Sequence, residues 1–308
     1  MTHLLKKLLL SLTLSPFLIA QDKVLIVTCS YSRPDFIEMQ AKTFKAFMQD
    51  PYEFMVFDDA PDSATSEAIQ TMCQKLSLGY QRIPQDVHNS TNKKQVGDFV
   101  RSGMAISIDG DSYNVQHNVS CRAADSLNYM MQTVGFQYPG MVCLVDSDLF
   151  LIKKFSVASF MNNNNYDLYG CAQQRGPIFY LWTGLIFFNN KRLPDKDTLL
   201  LDCAKIDGIS VDTGGLLHCY LQEQKSLNVG SYNNTHIDSL PKDVSELERL
   251  GYHQQEIPFI MSCPSRMEFH IEHNFLHYCA GGNWDRMPES YHANKTTILN
   301  NFITSILE

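Results

Sequence analysis

The chain has 308 residues, 44% of them hydrophobic, an ordinary globular composition that can build a large core in one large domain or two small ones. Its formal net charge of -8 argues against a general nucleic-acid surface, so an anionic ligand would have to be held by a metal ion and local groups. Residues 1–21 read as a signal peptide or a short membrane anchor, because Lys6 and Lys7 precede a brief apolar stretch that ends at Ala20. That stretch is short for a membrane span, and a buried first element is the alternative.

Residues 22–308 are expected to form a single domain, since no linker-like shift in composition and no internal repeat divides them. The nine cysteines are scattered without a Cys-x-x-Cys pair, which disfavours a zinc ribbon or a thioredoxin-like site. Cys29 and Cys143 lie in apolar runs and are most simply core residues. Sequons begin at Asn89, Asn118, Asn233 and Asn294, and they matter only in a host that glycosylates exported proteins.

In chain order, residues 24–28 read as a buried strand, then a polar loop holds Tyr31 and Arg33, and a helix follows with Phe36, Met39, Phe44 and Phe47 on one side. A second strand over 53–57 ends at Asp58 and Asp59, its helix spans 63–76, and 79–83 supply a third strand. This alternation predicts an α/β fold with a mainly parallel sheet, whose ligand crevice lies beyond the carboxyl ends of the strands. Residues 84–118 are polar and aperiodic and read as an excursion. A helix over about 120–134 buries Ala124, Leu127, Met131 and Val134 and leaves Arg122, Asp125 and Tyr129 on the opposite face.

That helix leads into the most informative stretch, Met141-Val-Cys-Leu-Val-Asp146-Ser-Asp148-Leu149, an apolar run ending in two aspartates one residue apart. Residues two apart on an extended chain share a side, so Asp146 and Asp148 can grip one hard cation, Mg²⁺ or Mn²⁺, that keeps positions open for phosphate oxygens. A turn or capping pair is the plainer alternative. Further strands cover 166–171 and 178–190, the latter carrying Trp182, Thr183 and Gly184. A Trp in that setting reads equally as core.

Taken together, the β-loop-α start, the acidic second strand end, the helix with Arg122 and Asp125, the strand into Asp146-Ser-Asp148 and the Trp182-Thr-Gly-Leu-Ile-Phe-Phe-Asn189 strand resemble a nucleotide-sugar glycosyltransferase of the GT-A type. The resemblance spans about residues 23–286, and Phe275-Leu-His277-Tyr-Cys-Ala-Gly281-Gly282-Asn283-Trp284 looks like the His-containing segment that closes the site in many of these enzymes. It implies a Rossmann-like mixed sheet flanked by helices, a nucleoside-diphosphate sugar as donor, UDP foremost, and a glycan, lipid or protein as acceptor. It also implies Asp148, Asp146 and His277 as metal ligands, with the imidazole favouring Mn²⁺ over Mg²⁺. Gly281 and Gly282 would let backbone amides approach the diphosphate, with Asn283 and Trp284 beside it. Tyr31, Arg33, Asp59, Arg122 and Asp125 would bind the donor, each with loop capping or an exposed helix face as its alternative.

Asp212, before Thr213-Gly214-Gly215, is the residue to examine first as a catalytic base or acceptor contact, a structural helix cap before Gly214 being the other reading. His218, His270 and His273 read as core or rim histidines. Two other classes remain. One is a secreted glycan- or nucleotide-binding protein without turnover on the same fold. The other is a phosphatase with an Asp nucleophile, in which the Asp-x-Asp motif would open the domain and be followed by Thr or Val rather than by Leu149. The expected location is the secretory pathway, secreted or membrane-anchored through residues 1–21, with attachment at a cytosolic face still open.

Overall fold

The computed structural model describes residues 23–89, 96–108, 119–264, 266–281 and 288–308. The leader expected over 1–21, and the donor-site positions Gly282, Asn283 and Trp284, lie outside the described residues. Among those described, no helix is long and apolar enough to cross a membrane.

Strand β1 (Val24–Ser30) is buried throughout except for a half-buried Cys29, as suits a parallel strand covered on both faces. Helix α1 (Pro34–Phe47) opens with Pro34 in its first turn and Asp35 at the positive end of its dipole, and closes with Lys45 at the negative end. Strand β2 (Tyr52–Asp58) leads to α2 (Ser63–Leu76). That helix is capped by the Asp62 carboxylate, which accepts the Thr65 N–H at 2.8 Å, and ends at Ser77 in the left-handed region.

After β3 (Gly79–Arg82) come β4 (Gly97–Arg101), β5 (Met104–Ile108), α3 (Val119–Thr133), β6 (Met141–Val145), β7 (Leu149–Leu151), α4 (Val157–Asn163), β8 (Leu168–Arg175) and β9 (Ile178–Asn189). The remainder is β10 (Ala204–Ile206), β11 (Ile209–Val211), α5 (Leu217–Glu223), β12 (Val229–Tyr232), β13 (Thr235–His236), α6 (Val244–Arg249), α7 (Glu256–Ser262), β14 (Glu268–His270), β15 (Phe275–His277) and α8 (Glu289–Leu307).

The central sheet has the order β12-β8-β9-β6-β1-β2-β3 and is parallel except for β9, which runs antiparallel to both neighbours. Side chains alternate across it. Leu25, Val27, Val142 and Leu144 pack with Met130 and Met131 of α3, while Val24, Ile26, Cys143 and Val145 pack with Ile37 and Phe44 of α1 and Ile69 of α2. The fold is therefore the expected mixed α/β arrangement, a mainly parallel sheet flanked by helices. A second sheet, β13-β14-β15-β7, rests on the C-terminal helices through Phe150, Phe269, Leu276, Ile260 and Phe302.

Two expectations need correction. Within the stretch read as an aperiodic excursion, β4 and β5 form a hairpin across Ser102 and Gly103, both left-handed at φ 55° and 80°, the geometry that suits the twist of a two-residue hairpin. β10 pairs on β5 and extends it into a small third sheet, so Ile106 and Ile108 are buried. The face of α3 expected to look outward is also covered, since Arg122 and Asp125 are buried against the end of β2.

The turn from β6 to β7 joins the two larger sheets, and Leu149 N–H closes it onto the Asp146 carbonyl at 3.1 Å. Gln40, fully buried on the apolar side of α1, donates from Nε2 to the carbonyls of Asp146 at 2.6 Å and Leu149 at 2.8 Å. Deleting this amide takes one donor from each of two carbonyls in the turn, so Gln40→Ala is expected to lower stability by about 2 kcal/mol. The urea midpoint reads this directly, and an unmoved midpoint would show that the turn holds itself.

Candidate functional site

Asp146 and Asp148 occupy the turn at the carboxyl end of β6, and His277 arrives from the second sheet, where it pairs with Leu149 in the β15–β7 ladder. Each of the three offers one ligand atom, and these atoms lie within 4.8 Å of one another. His277 Nε2 is 3.3 Å from Asp148 Oδ1, and the Gly281 N–H donates to Asp148 Oδ2 at 2.8 Å. A second backbone bond, from Tyr278 N–H to the Asp148 carbonyl at 2.8 Å, keeps the two segments in register.

Cys279 and Ala280 are both left-handed, at φ 58° and 62°, and this bend brings Gly281 back onto Asp148. A Cβ at Gly281 would lie 2.6 Å from Asp148 Cβ and 2.6 Å from Phe36, so only glycine fits there. Its amide is thus engaged by the carboxylate, which corrects the expectation of a free donor for the diphosphate. The approach that needs glycine here is to Asp148.

Glu268, absent from the sequence-based site, stands opposite His277 in the β14–β15 ladder, with Oε2 3.6 Å from His277 Nδ1. A carboxylate behind an imidazole fixes its tautomer and turns the far nitrogen toward a metal. Trp182 packs on the same ring at 4.9 Å between centroids and stacks on His270 at 5.3 Å. Its indole lies across Gly184, where a Cβ would fall 1.9 Å from the ring, and the Gly184 carbonyl accepts the Asp146 N–H at 2.8 Å. Trp182 is therefore a wall of this site as well as packing.

The charges fit a cation. Burial, then the adjacent Asp148 charge, pushes Asp146 up to about 6. Burial acts the same way on Asp148, but His277 outweighs it and holds that carboxyl below its usual range. Burial would lower His277, yet Cys279 and Asp148 overcome it and hold the imidazole well above its ordinary value. Two carboxylates and an imidazole in one cluster suit Mn²⁺, and no bound ion is needed to see the fit.

A second cluster sits beyond the ends of β1 and β2. Arg122 grips Asp59 with both arms at 2.7 Å, Ser126 donates to Asp59 Oδ2 at 3.0 Å, and His88 bridges Asp59 at 2.9 Å and Asp125 at 3.3 Å. The Tyr31 ring lies under the Arg122 guanidinium, 5.1 Å from the centroid. The structure thus gathers Tyr31, Asp59, Arg122 and Asp125, but it fills the Asp59 carboxylate from within, so that residue positions the cluster. Burial would raise Asp59, and its His88 and Arg122 partners hold it below the usual range. Cys29, at the end of β1, has both Asp59 and Asp146 as charged neighbours, which places the two clusters side by side.

Other expected positions stand apart. Arg33 is held by Asp35 at 2.8 and 2.6 Å and lies 3.6 Å over the Phe36 ring, on the side of α1 that Gly281 touches. Asp212 is exposed, and its carboxylate accepts the Thr213 N–H at 2.8 Å in the turn before α5; it does not cap that helix, whose N-cap is Leu216. Its loop nevertheless packs on β9, since a Cβ at Gly214 would lie 2.7 Å from the Thr183 methyl, next to Trp182 in the chain. Asp58 is a buried hub for Tyr80 and Arg82, at 2.8 and 2.6 Å, with no free edge for a ligand.

No protein-family model matches this sequence, and no curated protein matches it. Similar solved structures include the galactosyltransferase LgtC in complex with donor and acceptor sugar analogs, with 11% identity and a TM-score of 0.43 over 91% of this chain and 95% of that one. Another is the mannosyltransferase PcManGT from Pyrobaculum calidifontis in complex with GDP-Man and Mn²⁺, with 11% identity and a TM-score of 0.37 over 70% of this chain and 56% of that one. A third is TarS of S. aureus, with 15% identity and a TM-score of 0.39 over 78% and 42%. The chain spans between 56% and 60% of the length of the mannosyltransferases it matches. Likeness at these TM-scores assigns no chemistry.

Cation binding should depend on pH in a defined sense. Mn²⁺ needs Asp146 ionised, so its affinity is expected to fall as pH drops through about 6. The raised His277 must also lose its proton, so binding at pH 7 should release protons to the buffer. Calorimetry in two buffers of different ionisation heat counts them, and identical heats would contradict the assignment of His277 as a ligand.

Proposed function

We propose that this chain is a metal-dependent glycosyltransferase of the GT-A type, moving a sugar from a nucleoside-diphosphate donor, UDP foremost, to an acceptor hydroxyl. The observation that carries this reading is the convergence of Asp146, Asp148 and His277 within 4.8 Å at a strand end, with the Tyr31–Asp59–Arg122 cluster alongside. When bound at the three ligands, Mn²⁺ supplies positive charge against the negative charge that develops on a departing diphosphate.

The chain's own residues do the rest. Gly281 N–H holds Asp148 Oδ2 and so leaves Oδ1, with His277 Nε2, turned to the cation position. Glu268 and Trp182 hold the imidazole from behind and from the side. Arg122, locked on Asp59, keeps its guanidinium against the Tyr31 ring, whose partly open position suits stacking on a base. Arg33, one turn of α1 from the Gly281 contact, is placed to meet diphosphate charge. Asp212 and Thr183 are the acceptor-side positions to test. A secretory location goes with this reading only where the compartment imports the donor.

Hydrolysis of a panel of UDP- and GDP-sugars, with and without Mn²⁺, tests the reading. Asp148→Ala and His277→Ala are each expected to lower metal-dependent turnover by roughly 10²-fold or more, the scale of losing one preorganised charge contact. If the wild type bound neither metal nor nucleotide, the non-catalytic alternative on this fold would replace it. Arg122→Lys keeps the charge but loses the two-armed grip on Asp59, and should raise the donor KM with little change in kcat. A fall in kcat alone would place Arg122 at the reacting atoms instead.

A further inference from the structure

We propose that Glu268, His277 and Cys279 form a second cation site, suited to a thiophilic divalent ion such as Zn²⁺, which shares His277 with Asp146 and Asp148 and cannot be filled together with theirs. The three offer one oxygen, one nitrogen and one sulfur, all within 4.8 Å of one another. His277 Nδ1 is 3.2 Å from Cys279 Sγ and 3.6 Å from Glu268 Oε2. A thiolate with an imidazole and a carboxylate selects Zn²⁺ over the hard ions that suit the aspartate pair.

A separate observation points to the same place. His270 is 1% exposed, and its Nε2 makes no well-directed hydrogen bond, its neighbour being Glu268 Oε2 at 3.5 Å. Its other nitrogen is engaged by the Tyr232 hydroxyl at 3.0 Å, which fixes the ring. A buried ring nitrogen with no well-directed hydrogen bond, 3.5 Å from the Glu268 carboxylate, marks this pocket as one that an ion held by Glu268 would complete. The left-handed run Ile271, Glu272 and His273, with φ between 48° and 65°, closes the hairpin that brings His270 and His277 together.

Mutual exclusion follows from imidazole chemistry. A neutral imidazole has one lone pair to give. With Nε2 facing Mn²⁺, the proton sits on Nδ1 and points at Glu268 or Cys279. With Nδ1 on Zn²⁺, the proton sits on Nε2 and points at Asp148 Oδ1, 3.3 Å away, while Cys279 gives its thiol proton to the solvent. Zn²⁺ thus removes the third ligand of the aspartate site and acts as an inhibitor. The inhibitory consequence rests on the glycosyl-transfer reading, whereas the cation site itself does not.

Co²⁺ tests the site, because thiolate ligation gives it an intense near-ultraviolet charge-transfer band that oxygen and nitrogen ligands do not give. Added to the full-length, reduced chain, Co²⁺ is expected to raise that band to saturation at one equivalent, and Zn²⁺ should erase it. Cys279→Ser should lose the band, Glu268→Gln should weaken Co²⁺ binding about tenfold or more, and Asp148→Asn should keep the band. In the wild type, where no substitution disturbs folding, Mn²⁺ at ten times its own dissociation constant should weaken Co²⁺ at the thiolate about tenfold. Absence of the band in the wild type, its survival in Cys279→Ser, or a Co²⁺ affinity unmoved by Mn²⁺ would each overturn the proposal. A band in a chain that hydrolyses no donor keeps this site and removes the glycosyl-transfer reading; donor hydrolysis without the band does the reverse.

Discussion

The geometry of the whole site depends on two hydrogen bonds from one buried amide. Gln40 reaches from α1 to the carbonyls of Asp146 and Leu149, and between those carbonyls the chain passes from the central sheet to the smaller one. A three-residue junction between two sheets has little stiffness of its own, and a carboxylate carried on it would wander by more than a metal shell tolerates. Anchoring the junction to a helix already packed on the parallel sheet lets the core's rigidity fix the position of Asp148. The same junction sets the register of β7 on β15, so the bonds that place the aspartates also decide where His277 lies.

Around that junction the chain separates two electrostatic tasks. The Asp59–Arg122 pair is saturated internally, with His88, Ser126 and Gln85 adding donors and acceptors, and behaves as a rigid post beside the Tyr31 ring. The trio of Asp146, Asp148 and His277 is the opposite case, since its Asp146 carboxyl is desolvated and held near a like charge. Groups kept in such an arrangement are costly in the absence of a counter-ion, and perturbed titration of this kind concentrates at functional sites. Removing one partner of the saturated pair strands a buried charge, a cost of about 3 to 5 kcal/mol, whereas adding a cation to the trio relieves one.

Much of this was legible in the sequence because parallel strands covered on both faces announce themselves as continuous apolar runs. Residues 24–28, 53–57 and 141–145 gave strands in the right places, and the Asp-x-Asp pair follows the last of them, in a turn rather than on the extended chain that its spacing assumed. Asp148 and His277, far apart in sequence, could be joined only through the family resemblance, since nothing local to either foretells the β7–β15 ladder. Gln40 was hidden by its helix: a long amide between Phe36 and Phe44 on the apolar side, with Thr43 beside it, was the available signal. Glu268 and Cys279 were missed because their importance is relational. Alternation places Glu268 with His270 on one side of β14, but only the register shows that they face His277, and Cys279 joins them through the left-handed bend that follows β15. The hairpin of β4 and β5 escaped notice because Val100 and Ala105 stand at its exposed positions, which blurs the alternation that marks a half-buried strand.

The indole of Trp182 lying flat across Gly184 has an evolutionary corollary. The two residues, two apart on one strand, occupy a single volume, so neither can drift alone: a methyl group at 184 evicts the ring, and loss of the ring opens a void beside two histidines. Homologues that build their site in the same way should therefore keep aromatic-x-glycine here as a unit, and those that have abandoned it should have exchanged both positions together. Such paired replacement would be a more discriminating fingerprint of this architecture than the Asp-x-Asp motif, which short stretches of sequence produce by chance.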